Sequence, residues 1–215
     1  MELFKMNGVE QCEFKKGSYI IRQGENVDYL YYLTSGTCYR TLITEKGDEI
    51  IYGIKESNNS IRSIMGVLSL FSNGISAYHF IAKSKCCCLK IPKDTFLKYV
   101  QDDANILRQL LQMATGNIRE LVDSLQARNE GKVGNRLCKF LLNKSQDDHG
   151  VLLVNKYYSN ATISRFLGIH KVTVAKILRA LKNEGILKKE KDGIIILNEN
   201  KLTSYANDEK IIDYF

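Results

Sequence analysis

Between His170 and Arg179 the chain sets two lysines, an arginine, a histidine and a threonine among Val172, Val174 and Ile177. On a helix, Val174, Ile177, Leu178 and Leu181 share one face, which leaves His170, Lys171, Val172, Thr173, Lys176 and Arg179 on the other. Such a surface offers charged donors for phosphate oxygens and for the N7 and O6 acceptors of guanine, and Val172 adds a methyl surface for thymine. Upstream, Ser159 stands where a helix N-cap belongs, and Ile163, Phe166 and Leu167 follow at the i, i+3, i+4 spacing of one apolar face. Gly168 can take the positive φ of a sharp turn. Two short helices about one glycine, with a basic outer face, make a helix-turn-helix. The expected partner is double-stranded DNA, read by the helix 170–182, with Ser159 and Thr162 added to the contact set. The same apolar spacing also suits an ordinary helical hairpin with a solvated basic side, so spacing by itself leaves both readings open.

The elements around this pair complete a module. Val133 to Leu142 has the apolar pattern of a helix, Asp147-Asp-His-Gly150 that of a turn, and Val151-Leu-Leu-Val154 that of a strand. Gly185 to Leu197 reads as a β-hairpin turning at Asp192-Gly193, a type I′ signature, so the whole is a winged helix. Lys188, Lys189 and Lys191 near the wing tip are placed for a phosphate backbone, or equally for a solvated edge.

Residues 14 to about 91 are short apolar runs punctuated by Gly17, Gly24, Gly36, Gly47, Gly53 and Gly66. Tyr19-Ile-Ile-Arg22, Tyr29-Leu-Tyr-Tyr-Leu33 and Glu49-Ile-Ile-Tyr52 read as strands, with Glu45-Lys-Gly-Asp48 as a hairpin turn, and together they predict an antiparallel β-roll. Pro92 ends the last strand. From there Leu107, Leu111, Ala114, Ile118, Leu121 and Leu125 recur at 4-3-4-3-4, the a and d positions of a heptad. A seam that narrow asks for a partner helix, whereas a helix packed only on its own roll asks for a wider stripe. The expected class is therefore α+β: an antiparallel β-roll over 1–103, a dimerisation helix over 104–130 and a winged helix-turn-helix over 131–215.

Charge follows the same division. Residues 131–205 hold 14 Lys/Arg against 6 Asp/Glu, and residues 1–130 hold 16 against 15, within a formal net charge of +7. A positive field confined to one module points to a polyanion, since cations that neutralise phosphates release condensed counterions. No run of about 18 apolar residues occurs and Met-Glu-Leu-Phe-Lys lacks the apolar core of a signal peptide, so the cytoplasm is the expected location, with no membrane partner. Cys12, Cys38, Cys86, Cys87, Cys88 and Cys138 include no C-x2-C pair, so reduced thiols are expected and no metal ligand or cofactor is assigned. No G-x-S-x-G, P-loop, G-x-G-x-x-G or H-E-x-x-H occurs, and no catalytic residue is assigned.

The order of β-roll, long helix and winged helix resembles the Crp/Fnr family of bacterial transcription regulators. The first module carries the likeness in Lys16-Gly17, Gln23-Gly24-Glu25, Asp28, Leu30-Tyr31, Ser35-Gly36 and Gly47, the second in Leu167-Gly168, Thr173-Val174, Ile177-Leu178 and Leu181. The resemblance implies a homodimer on a palindromic operator, RNA polymerase as a further partner, and control by a small molecule held in the roll. In cyclic-nucleotide-binding members a Gly-Glu-Leu helix and a following Arg-Ser-Ala hold ribose and phosphate. Here the matching stretches are Gly66-Val67-Leu68 and Ile75-Ser76-Ala77, so both the glutamate and the arginine are replaced by apolar residues. A cyclic nucleotide is thereby an unsuitable ligand. The residues to watch for another effector, apolar or aromatic, are those six and Arg62. The N-terminal cysteine cluster of iron-sulfur members is reduced to Cys12 here, and Cys12, Cys38 and three contiguous cysteines alternating across a strand cannot assemble a four-thiolate site. Haem on His79 or a cysteine, and oxidant sensing at Cys86-Cys-Cys88, are minor alternatives, as is a winged helix that binds something other than DNA. The family's Arg-Glu pair and following Arg fall on Lys171, Val172 and Lys176, which predicts a half-site leaning towards A and T, with half-site centres about 10 to 10.5 base pairs apart.

Overall fold

The computed structural model describes residues 7–43, 47, 49–58, 60–101, 103–129 and 132–214, excepting the side chains of Glu120 and residues 123–129. The chain forms two compact units, Met1–Leu121 and Val122–Phe215.

The first unit is built on eight strands: β1 (Glu10–Phe14), β2 (Tyr19–Ile21), β3 (Tyr29–Ser35), β4 (Thr37–Ile43), β5 (Glu49–Glu56), β6 (Ile64–Met65), β7 (His79–Ala82) and β8 (Cys86–Pro92). They make two antiparallel four-stranded sheets, ordered β1-β8-β3-β6 and β2-β7-β4-β5. Leu30, Leu33, Ile64, Met65, Leu89 and Ile91 bury their side chains in a single core, with the alternation along β3 and β8 broken near the bulge of β3. Between β6 and β7 lies the one-turn helix α1 (Val67–Leu70). Gly66 enters it at φ 86°, and a Cβ there would come within 3.0 Å of both Ile21 and Val27, so only glycine fits that entry. The expected turn at Glu45 to Asp48 lies outside the described residues apart from Gly47, but β4 and β5 pair from Thr37↔Glu56 to Ile43↔Glu49, the hairpin such a turn would join.

Helix α2 (Lys93–Gln101) starts right after Pro92, and the long helix α3 (Ala104–Asn129) follows it. Ile106, Leu110 and Met113 of α3 lie in the core of the roll. The stretch set apart by sequence as 104–130 is thus joined, over most of its length, to the first unit.

The second unit contains α4 (Val133–Lys144), β9 (Ser145–Asp148), β10 (Val151–Asn155), α5 (Asn160–Leu167), α6 (Lys171–Asn183), β11 (Leu187–Glu190), β12 (Gly193–Ile196) and α7 (Glu199–Ala206). Its sheet runs β11-β12-β10-β9. The polar edge strand β9 and the helix α7 are additions to the sequence-based expectation. The wing turn differs too: Glu190 pairs with Gly193, so the two-residue loop is Lys191-Asp192, not Asp192-Gly193. Neither loop residue has the positive φ of a type I′ turn. Gly193 serves a different purpose, because β12 is pressed onto β10 and a Cβ at its φ of 154° would stand 2.0 Å from the Val154 carbonyl oxygen. Among the described residues no helix is long and apolar enough to cross a membrane.

Candidate nucleic-acid interface and effector cavity

The helix-turn-helix is assembled from both ends of its first helix. Ser159 Oγ accepts from the Thr162 N–H at 3.3 Å and lies 2.9 Å from Thr162 Oγ1, closing the N-terminus of α5. At the other end Gly168 adopts φ 61°, ψ 36°, and its N–H returns to the Ser164 carbonyl. Arg136 of α4 donates to the Leu167 carbonyl, an anchor that the local pattern did not reveal because it comes from 31 residues away. Ile163, Phe166, Val174, Ile177 and Leu181 are buried between the helices, and the rings of Phe140, Tyr158 and Phe166 meet edge-on or tilted in a triangle with centroids 5.4 to 5.8 Å apart. These contacts fix where α6 begins.

That fixed start presents the residues singled out from the sequence. His170, Lys171, Val172, Lys176 and Arg179 are exposed and Thr173 is half-buried. Val172 is 61% exposed, a methyl surface that meets no partner in the fold. Among the described residues no ion pair engages Lys171, Lys176 or Arg179. His170 lends no side-chain hydrogen bond to the amides of the first turn of α6, which leaves them pointing at an incoming anion. Thr162 is a correction: at 2% exposure and bonded to Ser159 it completes a cap and does not reach outward. On the wing, Lys189 and Lys191 are exposed, whereas Lys188 Nζ is 2.6 Å from Glu190 Oε1 and so arrives already neutralised.

In the roll, a cavity of about 240 Å³ opens beside α1. Gly66, Val67, Leu68, Ile75, Ser76 and Ala77 line it as expected. Arg62 does not: it is exposed outside the cavity, and its carbonyl accepts from Lys55 Nζ. The cations on the wall are instead Arg40 of β4 and Lys55 of β5. Arg40 is 6% exposed, its Nη2 donates to the Tyr52 carbonyl at 3.3 Å, and its guanidinium lies 5.2 Å from the Tyr78 ring centre. Its β5 neighbour is Gly53, which leaves room for so large a side chain. The Ser76 hydroxyl donates to the Tyr78 carbonyl at 2.7 Å, folding it back on its own loop.

Against this geometry the comparisons with known proteins are decisive. Residues 11–103 match the cyclic nucleotide-binding domain and residues 135–205 the Crp-like helix-turn-helix domain. The chain belongs to the Crp/Fnr family of transcription regulators. It is 24% identical over 193 residues to the global nitrogen regulator of Synechococcus elongatus, covering 86% of this chain and 85% of that one. It is also 24% identical over 196 residues to the fumarate and nitrate reduction regulatory protein of Salmonella typhi, covering 89% and 76%. The structure of FixK2 from Bradyrhizobium japonicum superposes with a TM-score of 0.75 over 92% of this chain and 96% of that one, at 19% identity, which shows a shared fold. This Crp/Fnr chain is a DNA-binding regulator and not an enzyme.

Two further features of the family member bear on the expectations. Helix α3 shows two faces: Ile106, Leu110 and Met113 enter the roll's core, while Leu107, Leu111 and Ile118 are 40%, 65% and 61% exposed. Ala114 and Leu121 are half-buried, and the Leu125 side chain lies outside the described residues. The heptad seam is therefore distinct from the residues that hold α3 to its own roll. As for the thiols, all six are free, and burial pushes Cys38 and Cys138 up to about 12 and raises Cys12, Cys86 and Cys88 as well. Such thiols are poor nucleophiles. His79 Nδ1 accepts from the Gln23 N–H at 3.0 Å, so that nitrogen is already engaged.

Proposed function

We propose that the chain acts as a homodimer on a palindromic, A/T-leaning operator, controlled by an effector in the roll that is not a cyclic nucleotide. In this reading it works in the cytoplasm with RNA polymerase, and its parts are the roll over 1–103, the dimer helix over 104–130 and the DNA-binding module over 131–215. The observation that carries the proposal is the exposed stripe of Leu107, Leu111 and Ile118, turned away from the residues that bind α3 to the roll. Large apolar side chains at heptad spacing on the free side of a helix are stabilised by a second copy of that helix. Two copies would present two α6 helices to successive major grooves, with Lys171 and Lys176 donating to bases and Val172 against a thymine methyl.

Refusal of cyclic nucleotides follows from the cavity wall. Val67 and Ile75 stand where binding members place the glutamate and arginine. Loss of one charge-assisted contact costs about 1.5 to 3 kcal/mol. Titration calorimetry with cyclic AMP and cyclic GMP should give no heat; micromolar affinity would overturn this part. Met113 and Asn117 of α3 line the same cavity, so an occupant would touch the helix that carries the stripe. Sedimentation together with a gel shift on random-sequence duplex at two salt concentrations tests the whole. A dimer with salt-dependent binding is expected, and a monomer at micromolar concentration that ignores duplex DNA would refute it.

A further inference from the structure

We infer that the cavity of the roll takes a small amphipathic carboxylic acid, its carboxylate on Arg40 and Lys55 and its hydrocarbon against Val67, Leu68, Phe80 and Met113. The inference deepens the reading of the roll as an effector domain and rests on it. Three observations carry it. First, the cavity's charge is of one sign: Arg40 and Lys55 line it, and among the described lining residues there is no aspartate or glutamate. Second, the two cations come from the paired strands β4 and β5, whereas the α1 side of the wall carries no charge: Val67, Leu68 and Ile75 stand there, with the neutral hydroxyls of Ser69, Ser72 and Ser76 between them. A ligand matching this distribution is charged at one end and hydrocarbon at the other. A cyclic nucleotide would put its anion against the uncharged side.

Third, the volume sets the size. A cavity of about 150 Å³ lined by apolar side chains accommodates benzene, so 240 Å³ accommodates a ring or chain of about ten non-hydrogen atoms in all. Arg40 suits a carboxylate because its fork is planar and its position is set beforehand by the Tyr52 carbonyl and the Tyr78 ring. Lys55, held near the Arg62 carbonyl, adds a point charge on the same wall. A carboxylate leaving water needs such pairing to be accommodated at all.

The test is titration calorimetry on the full-length protein without DNA, using benzoate, phenylacetate and octanoate, each beside its neutral amide. At least one acid should bind, and its amide should bind at least about tenfold more weakly. Lys55→Met should weaken the acid by a similar factor, and Val67→Trp, which fills the cavity, should abolish binding. The acid-amide comparison uses unaltered protein, so it stands even where replacing the buried Arg40 disturbs folding. No binding by any of the three acids, equal binding of acid and amide, or an unchanged acid affinity in Lys55→Met would each overturn the inference. None of these results alters the gel shift that tests DNA binding, so the two readings fail separately.

Discussion

The two units dispose their cations differently. On the roll, Lys85 lies 2.8 Å from Glu13, Lys90 is 3.8 Å from Glu10 and Lys93 is 3.4 Å from Asp28, while Arg40 is turned inward. In the winged-helix unit, Lys171, Lys176, Arg179, Lys189 and Lys191 are exposed, and no ion pair holds them among the described residues. Three of its acids pair with other lysines: Glu190 with Lys188, Asp192 with Lys156, Asp208 with Lys132. The roll pairs several of its surface cations and turns another into its interior. The winged-helix unit leaves a field for a partner to neutralise, which is what counterion release requires.

If that contrast is what makes the protein a DNA-binding regulator, one set of five cations binds weakly and two linked sets bind tightly. The largest effect should therefore come from a change that touches none of them. Replacing Leu111 and Ile118 by aspartate puts charges on the exposed stripe of α3 without entering the core of the roll. Sedimentation should report a monomer, and operator affinity in a gel shift should fall by roughly 10² to 10⁴, the ordinary gain from joining two sites. A monomer that bound the operator as well as the dimer would show that the cations of one unit suffice.

Position can be separated from charge at the wing. Gly193→Ala changes no charge, but its new Cβ would meet the Val154 carbonyl oxygen at 2.0 Å and force β12 off β10. We expect a loss of about 2 to 4 kcal/mol in urea unfolding, with weaker DNA binding although Lys189 and Lys191 are intact. Full stability in this variant would mean that the wing tolerates a shifted strand.

The charges themselves come next. Lys176→Ala should cost about 1 to 3 kcal/mol on the preferred operator and relax one base position. Lys189→Ala should weaken all duplexes alike and flatten the salt slope by about one. Lys93→Ala on the roll, already paired with Asp28, should change neither. A matrix of these variants against operator, one-base substitutions and random duplex reads all three. Uniform loss in Lys176→Ala would remove it from base reading.

What could be read from sequence and what could not follows the range of the contacts involved. The helix-turn-helix was legible because Ser159, Gly168 and the apolar positions of α5 and α6 act within one or two turns. The register that sets Leu107, Leu111 and Ile118 apart from Ile106, Leu110 and Met113 on α3 is equally local. Arg40 and Lys55 were not legible, because only the pairing of β4 with β5 and the course of the chain around α1 bring them to the wall on which Arg62 had been expected. An arginine between Tyr39 and Thr41 in an otherwise uncharged strand, with a glycine in the strand that follows, is the available signal. β9 was missed for a related reason. Ser-Gln-Asp-Asp has no strand pattern of its own and becomes one by bonding to the edge of β10. The wing turn was misplaced by one residue because Gly193 was credited to turn geometry when its cause is the backbone of β10.

The smallest effect concerns the acid at the end of the recognition helix. Glu184, the C-cap of α6, takes a hydrogen bond of 2.6 Å from the Tyr205 hydroxyl of α7. That bond, with burial adding to it, pushes the Tyr205 pKa up to about 12. The ordinary tyrosine value is about 10, so the fold favours the protonated phenol. This stabilisation is complete below pH 10 and is lost as pH rises towards 12. Tyr205→Phe should lower stability by about 1.5 to 3 kcal/mol at neutral pH, the net worth of a hydrogen bond to a charged group. Other groups titrate in the same range, so the informative quantity is the difference between the two proteins. In urea unfolding from pH 8 to 11 that difference should hold steady up to about pH 10 and then shrink. A gap that did not change with pH would show that the phenol of Tyr205 is not held by Glu184 in solution. The C-cap of α6 would then be tied to α7 by apolar burial of Leu202, Tyr205 and Ala206 alone.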